Sequence, residues 1–434
     1  MKFKVKVLII YSLVFLMLSI ILPDLSFAAD KEKLEIWLST ELAKEARQYQ
    51  LDLIQEWGDQ NNVQVEVSTF GWSDYSAKLT TAMASKNEPD IAAPGGFNVL
   101  QGIKLGRLYP LNDLFNRIER SGSVFFVSAR EGAPVNGNYY NIPTGATDEL
   151  FYLRKDWLEE TGLPVPETWS DLKTVALKMS NPKENIYGAG FGLGGELWDS
   201  EKTFRIILWS FGGSLVEEDG KTIALNSEAT KKTINYLIDL YKEGAIPPAA
   251  PGWSSSDNNK AWLEERVGAI INTGSVLWYM RENRPDLLEN SIIMAPPKGP
   301  AGRFSYVGPW TGGWCLYKSS KNPELAKDLI YYLMKEENYN RYVELGGGAL
   351  VPVTESAANL DMWDDPFNKA FIDAVKIARA PGYPGSATLP ALEVLDTAVM
   401  TDMVGRVLIN GWTPQKAIDE AVDRIKEIYE KHEK

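Results

Sequence analysis

Hydrophobic and polar positions along this chain predict short strands that alternate with amphipathic helices. An apolar run at residues 34–38 is followed by apolar residues at steps of three and four from Leu42 to Trp57, the spacing of one helix face. Residues 63–67 then alternate valine with polar side chains, as a strand does. Repetition of this order predicts an α/β fold whose sheets are mostly parallel and flanked by helices.

Capping residues and breaker clusters divide the later part of the chain. Helices are expected to begin after Thr168, Asn322 and Thr413, the last two with proline at the first helical position. Glycine and proline clusters interrupt the periodic segments at residues 247–252, 296–302, 346–348 and 381–385. These clusters are candidate crossings between two lobes.

The first 28 residues have the composition of a secretory signal. Three lysines precede an uncharged, largely apolar run at residues 7–22, and Ser26 and Ala28 place small side chains at the two positions that a signal peptidase reads. The alternative is an uncleaved anchor, but the run is short for a membrane span of about 20 residues. No cysteine lies near this site for lipid attachment. We therefore expect cleavage and export to the periplasm or the extracellular space.

Charge and residue usage exclude several classes of function. The 434 residues carry a formal charge of -13, which argues against nucleic acid as a partner, and the length suggests two or more domains. The single cysteine, Cys315, and the single histidine, His432, cannot form an intramolecular disulfide, a Cys/His zinc cluster or an interior Ser-His-Asp triad. No motif calls for a cofactor or a metal, and calcium held by dispersed carboxylates stays open.

Aromatic residues in loop-like surroundings point to a flat ligand. The chain has 14 Trp and 19 Tyr, and Trp72, Trp253 and Trp310 stand among glycine, proline or serine. A sugar ring offers a C–H face to an indole and hydroxyls to carboxylates and amides, so such residues suit a carbohydrate site. The alternative for each tryptophan is that it fills the core.

Several segments resemble extracellular solute-binding proteins of sugar ABC importers, the maltose-binding-protein-like group. The resemblance is strongest at residues 142–157 (IPTGATDELFYLRKDW) with the Pro-Glu-Thr-Trp that follows at 166–169. Further matches occur in the expected order at residues 75–79 with 88–91, 268–275, 312–314 with 320–326, and 348–353. Together they cover nearly the whole mature chain.

This resemblance implies two α/β lobes that close on a ligand by hinge motion. It implies lobe one at residues 29–145 plus 296–347 and lobe two at residues 146–295 plus 348–434, after a signal peptide at residues 1–28. The implied partners are a carbohydrate and the permease subunits of an ABC transporter in the membrane, and the protein is expected to be a monomer. The rich supply of aromatic residues favours an oligosaccharide over a monosaccharide.

The same resemblance implies which residues meet the ligand. The expected ligand-binding residues are Glu41, Trp72, Phe97, Asp148, Trp198, Asp199, Trp253, Asn272, Ser275, Trp278, Trp310, Thr311 and Tyr383. Trp310 and Tyr383 are the preferred stacking residues. Glu41 equally fits an exposed carboxylate in a first helical turn, and Trp198 with Asp199 equally fits a surface loop. Relatives often carry a tryptophan directly after the glycine at position 274, whereas this chain has it at Trp278.

Two other functions stay open at this stage. A secreted glycoside hydrolase needs a pair of carboxylates about 5 to 10 Å apart, which a chain with 58 acidic residues could supply. A binding protein for a non-sugar solute, such as a polyamine or an anion, is the other alternative. A turnover assay distinguishes a glycoside hydrolase from a binding protein, because a hydrolase shortens the sugar and a binding protein releases it intact.

Overall fold

A computed structural model describes residues 31–39, 44–126, 129–130, 134–135, 137–145, 149–194, 198–253, 256–306, 313–347, 350–385 and 387–433. Its strands are β1 (Lys33–Ser39), β2 (Gln64–Phe70), β3 (Ile91–Ala92), β4 (Pro134–Val135), β5 (Asn138–Tyr139), β6 (Ile142–Pro143), β7 (Leu150–Arg154), β8 (Ala269–Asn272), β9 (Ser291–Met294), β10 (Ser305–Tyr306), β11 (Gly313–Leu316) and β12 (Ala378–Arg379).

The helices of the first half are α1 (Lys44–Asn61), α2 (Trp72–Ser85), α3 (Gly96–Lys104), α4 (Asn112–Arg120), α5 (Lys155–Thr161), α6 (Trp169–Met179), α7 (Trp198–Ser210) and α8 (Glu228–Lys242). Those of the second half are α9 (Asp257–Leu263), α10 (Gly274–Asn283), α11 (Pro285–Glu289), α12 (Pro323–Leu333), α13 (Glu336–Leu345), α14 (Pro366–Ile377), α15 (Leu389–Asp396), α16 (Val399–Asn410) and α17 (Pro414–Glu433). The predicted order of strand and helix between residues 33 and 92 is confirmed. Among the described residues, no helix is both long enough and apolar enough to cross a membrane.

The first sheet has the strand order β2-β1-β3-β11-β6. Strands β2, β1 and β3 are parallel, as predicted, and β11 runs antiparallel to both β3 and β6. Because β11 is reversed, its first residue lies at the same edge as the carboxyl ends of β3 and β6. The chain therefore leaves this sheet after β6 and returns before β11 at one edge, the carboxyl edge.

The second sheet corrects the prediction of mostly parallel strands in each lobe. Its order is β8-β7-β9, and both pairings are antiparallel. Every residue of β7 and β8 is buried, so neither strand shows the alternation of an antiparallel sheet with one face in water. A short run that is apolar throughout looks the same in either orientation, and the sequence pattern therefore could not reveal the direction of pairing.

Buried side chains of the described residues form three clusters. One extends through both sheets and includes Leu34, Tyr152 and Ile293. The second-lobe cluster includes Phe151 and Trp209 together with residues of α8, α16 and α17. The α2–α3 cluster consists of Tyr75, Leu79, Met83, Ala92, Val99, Leu100, Leu108, Val135, Cys315, Tyr317 and Leu392.

Contacts at two predicted lobe boundaries differ from the division expected from the sequence. Residues 296–306, expected in lobe one, contact second-lobe elements: the amide of Ala301 donates to the carbonyl of Ser210 at 2.9 Å, and β10 pairs with β12. Conversely, Thr354, expected in lobe two, forms a β-bridge with Phe125. Glycine and proline clusters mark turns, and a turn can precede or follow the crossing itself. The limits of the lobes stay a prediction.

Candidate functional site

The site is built where strand ends of the two sheets meet the first turns of helices. The carboxyl edge of the first sheet holds the last residue of β1, Ser39, and the loop between β3 and α3. In the second sheet β7 begins at Leu150 beside the end of β8 at Asn272. Ligands of open α/β sheets bind at such edges, because the loops that connect strands to helices gather there.

A hydrogen-bonded network of polar side chains joins the start of α7 to the end of β8. The Oδ2 atom of Asp199 accepts from Asn272 Nδ2 at 3.3 Å and from Asn258 Nδ2 at 3.4 Å. Asn272 also donates to Asn259 Oδ1, and its own Oδ1 accepts from the amide of Thr273 at 2.8 Å. The network therefore fixes the orientation of the Asn272 amide and of the Asp199 carboxylate.

A buried ion pair contacts the network on the side away from solvent. Lys202, one helical turn after Asp199, lies 2.6 Å from Glu149 Oε1 and 3.4 Å from Asp199 Oδ1. The Glu149 side chain is fully buried, Lys202 is 11% exposed and Asp199 is 19% exposed. Asp199 is thus the most exposed of these three side chains. The second carboxylate oxygen of Glu149 has no hydrogen-bond partner among the described residues.

The electrostatics of the site follow from two carboxylates, Glu149 and Asp199, that share the ammonium group of Lys202. The pKa of Glu149 is raised to about 7, chiefly by burial; the charge of Lys202 opposes this increase, and the charge of Asp199 adds to it. Burial also disfavours the charged form of Lys202, but the carboxylates of Glu149 and Asp199 outweigh it and raise the pKa of the ammonium group. Lys202 therefore stays charged, and Glu149 can take up a proton near neutral pH.

Four predicted ligand residues lie at or next to this network. Trp198 is the first residue of α7 and is 41% exposed, beside Asp199. Asn272 is buried and contacts Asp199 directly. Ser275 lies in the first turn of α10, where its hydroxyl is 2.8 Å from that of Thr273. The structure thus brings the predicted pair Asp199 and Asn272 together across 73 positions of sequence.

Other predicted residues occupy different positions. Trp278 lies further along α10 and is 44% exposed, and Trp253 is partly buried against the hydrophobic clusters. Tyr383 packs within the second lobe: its ring is 5.7 Å from that of Trp209, and the guanidinium of Arg379 lies 5.3 Å from the ring centre. A role for Tyr383 in ligand stacking stays a prediction, and these contacts hold its ring in place.

The remaining predicted residues are described in part or not at all. Trp72 begins α2 and Phe97 is the second residue of α3, so both follow strands of the first sheet. Glu41, Asp148, Trp310 and Thr311 lie outside the described residues.

The sequence reasoning missed four members of the network, namely Glu149, Lys202, Asn258 and Asn259. Lys202 carried a usable signal, because a base three residues after Asp199 shares its helix face. Glu149 follows Asp148 in the segment that resembles sugar-binding proteins. The two asparagines gave no signal, since their contact depends on how α9 packs against β8.

The arrangement is suited to bind hydroxyl groups. A partly exposed carboxylate accepts hydrogen bonds, amide groups donate and accept them, and an exposed indole next to them offers an apolar face. Among the described residues, no group of three or more His, Cys, Asp or Glu side chains is placed to hold a metal ion.

Comparison with known proteins gives a consistent result. A family model for bacterial extracellular solute-binding proteins matches residues 52–370. The mannitol-binding protein of Pseudomonas aeruginosa is 36% identical over 319 residues, which cover 68% of this chain and 69% of that protein. The arabinooligosaccharide-binding protein of Halalkalibacterium halodurans is 24% identical, with 73% of this chain and 69% of that protein covered.

A solved structure shows the same fold. The solute-binding protein of an ABC transporter from Thermotoga lettingae, bound with alpha-D-tagatose, has a TM-score of 0.73 and 24% identity. The match covers 92% of this chain and 100% of that chain. It confirms the two-lobed α/β architecture expected from the sequence.

Proposed function

Because this chain belongs to the family of bacterial extracellular solute-binding proteins, we propose that it captures a carbohydrate between its two lobes and delivers it to an ABC import permease. Hinge closure of the lobes holds the sugar, and the permease subunits read the closed form as occupied. The family places the protein outside the cytoplasm, in the periplasm or beyond the cell. Export by cleavage of the signal at residues 1–28 and action as a monomer are parts of this proposal.

The observation that carries the proposal is the contact between Asp199 and Asn272 at the start of α7. These two side chains were expected to bind sugar. Asn272 is buried and donates to Asp199, so the network holds a partly exposed carboxylate in one orientation. Lys202 and Glu149 hold the carboxylate from the buried side, so its orientation costs little when the ligand arrives. The exposed Trp198 adds a stacking surface beside them.

Named relatives support a polyhydroxylated ligand. These relatives are named for binding an arabinooligosaccharide and mannitol, and the similar solved structure is bound with alpha-D-tagatose. All three ligands are neutral and rich in hydroxyl groups. We propose a neutral oligosaccharide, because the aromatic residues give more stacking surfaces than a single ring needs.

The protein acts by binding and not by catalysis in this proposal. The family and the named relatives are binding proteins, and the carboxylates of Asp199 and Glu149 are both engaged by the ammonium group of Lys202. The sugar is therefore released to the permease unchanged.

The experiment is a thermal-shift screen of residues 29–434 against mono- and oligosaccharides, followed by affinity measurements on variants. A ligand that binds only the folded state raises the melting temperature. Asp199→Ala should weaken binding of the selected sugar by about 30-fold or more, the scale of a lost charge-assisted hydrogen bond. Asp239→Ala, which removes a carboxylate paired with Lys173 on the second-lobe surface, is the matched control and should bind as the wild type does. Equal affinity of Asp199→Ala and wild type would remove this network from the site.

A further inference from the structure

Helix α15 (Leu389–Asp396) is buried on two faces that belong to different clusters. Ala391, Val394 and Leu395 lie in the second-lobe cluster, whereas Leu392 is 2% exposed and belongs to the α2–α3 cluster of the first lobe. Leu389 also packs against that first-lobe cluster. A helix with one neighbour needs a single apolar stripe, so the second stripe reflects packing against both lobes.

An ion pair crosses between the lobes on the same face of this helix. Lys104, the last residue of α3 in the first lobe, lies 2.9 Å from Glu393 Oε2 on α15. Two residues of α17 also bind this carboxylate: Lys431 at 2.7 Å and His432 at 2.8 Å. The Glu393 side chain is 14% exposed and that of Lys104 is 36% exposed, so the carboxylate is shielded from solvent and the lysine is partly open to it. One carboxylate therefore has one partner across the lobes and two within its own lobe.

This carboxylate remains charged under ordinary conditions. Burial alone would raise its pKa, but hydrogen bonds from Lys431, Lys104 and His432 overcome that effect and hold the pKa of Glu393 at about 2. The cross-lobe pair is therefore an interaction between full charges.

The position of Lys104 indicates which way the pair acts. Helix α3 begins at Gly96, just after the carboxyl edge of β3, and its nine residues carry Lys104 about 13 Å away from that edge. The predicted ligand residues Trp72 and Phe97 stand at the edge itself. When two lobes rotate about a hinge, one flank closes and the opposite flank opens. The Lys104–Glu393 contact lies at the end of α3 that is remote from this edge.

We propose that α15 is a strut between the lobes, and that the Lys104–Glu393 pair opposes closure and so lowers the affinity for ligand. The inference rests on the proposed function, because it requires a ligand held by movement of two lobes. Lys104 and Glu393 act here as positioning residues, since they set the balance between open and closed arrangements without touching the ligand.

The test compares two lysines that bind the same carboxylate. Lys104→Met removes the cross-lobe partner, and Lys431→Met removes a partner within the second lobe. Affinity is measured for the tightest ligand among maltotriose, arabinotriose, chitobiose and mannitol. Distances between spin labels at Lys86→Cys and Lys242→Cys, one on each lobe, are measured without ligand. Cys315 is fully buried and does not take the label.

Lys104→Met and Glu393→Gln should bind about three- to tenfold tighter than wild type, the scale of one partly shielded ion pair. Their label distances should shift toward those of the ligand-saturated wild type. Lys431→Met should match the wild type in both measurements. Unchanged or weaker binding by Lys104→Met, or an equal effect of Lys431→Met, would overturn the proposal.

The two proposals can fail separately. If none of the four sugars binds the wild type, the proposed function fails for these ligands, and the label distances still decide on the strut. Identical distance distributions for Lys104→Met and wild type would then refute it. Melting temperatures are the control for a purely structural role. Loss of either lysine costs one ion pair and should lower stability to a similar extent, whereas only loss of Lys104 should change the affinity and the label distances.

Discussion

Replacing Glu149 with glutamine should remove a pH-dependent loss of stability that this side chain causes. In the unfolded chain the carboxyl group loses its proton near its ordinary pKa of 4.5, whereas burial in the folded protein raises that pKa to about 7. Between these values the folded protein binds more protons than the unfolded chain. The free energy of unfolding must therefore fall as the pH rises through this window.

The size of the effect follows from the two pKa values. A difference of one pKa unit between folded and unfolded states corresponds to about 1.4 kcal/mol, so the contribution of Glu149 amounts to about 3 kcal/mol. The loss of unfolding free energy that Glu149 causes is absent below about pH 4.5 and complete above about pH 7. Because Glu149→Gln cannot ionise, the variant should gain about 3 kcal/mol relative to wild type between about pH 4 and pH 8.

The assay is urea denaturation of wild type and variant across that range, with the difference in unfolding free energy plotted against pH. Glu167→Gln is a useful control. Hydrogen bonding to Lys298 lowers the pKa of this exposed carboxyl, so its contribution is lost only as the pH falls below the ordinary value. Its difference from wild type should be constant above about pH 5. An equally flat difference for Glu149→Gln would refute the raised pKa of the Glu149 carboxyl group.

Three further predictions concern separate features. Trp310→Ala, at a residue selected from the sequence alone, should weaken sugar binding by about 1.5 to 3 kcal/mol without loss of the folded state; unchanged affinity in calorimetric titration would exclude Trp310 from the site. Arg205→Met should cost about 3 to 5 kcal/mol in chemical denaturation, because it leaves the Glu201 carboxylate buried without its cationic partner; a loss below about 1 kcal/mol would contradict this. Thr168→Ala should cost about 1 kcal/mol by breaking the capping box with Asp171 at the start of α6, and Thr168→Ser should restore most of it.

Local elements of the fold could be predicted because their signals are local. The run at residues 34–38 became β1, and the three-and-four spacing after it became α1. The capping box at Thr168 starts α6 as its sequence predicts. Each of these depends on residues within one or two turns of one another, where periodicity and capping chemistry act.

Long-range arrangement could not be predicted in the same way. The antiparallel pairing of β7 with β8 leaves no trace in these two strands, because both are buried throughout. Glu149 and Lys202 are 53 positions apart, and their contact depends on how α7 crosses the end of the second sheet. The pair Asp199 and Asn272 was reached only through the resemblance to sugar-binding proteins. For Asp199, the residues alone left a surface loop equally open.

Binding of a carbohydrate without turnover is tested most directly by calorimetric titration of residues 29–434 with neutral oligosaccharides. The sugar recovered from the calorimeter is then examined by chromatography. We predict saturable binding of at least one oligosaccharide with one site per chain, binding weakened by about 30-fold or more in Asp199→Ala, and recovery of the sugar at its original length. Absence of binding to every neutral sugar would contradict a carbohydrate ligand, and recovery of shortened products would contradict a protein that only binds.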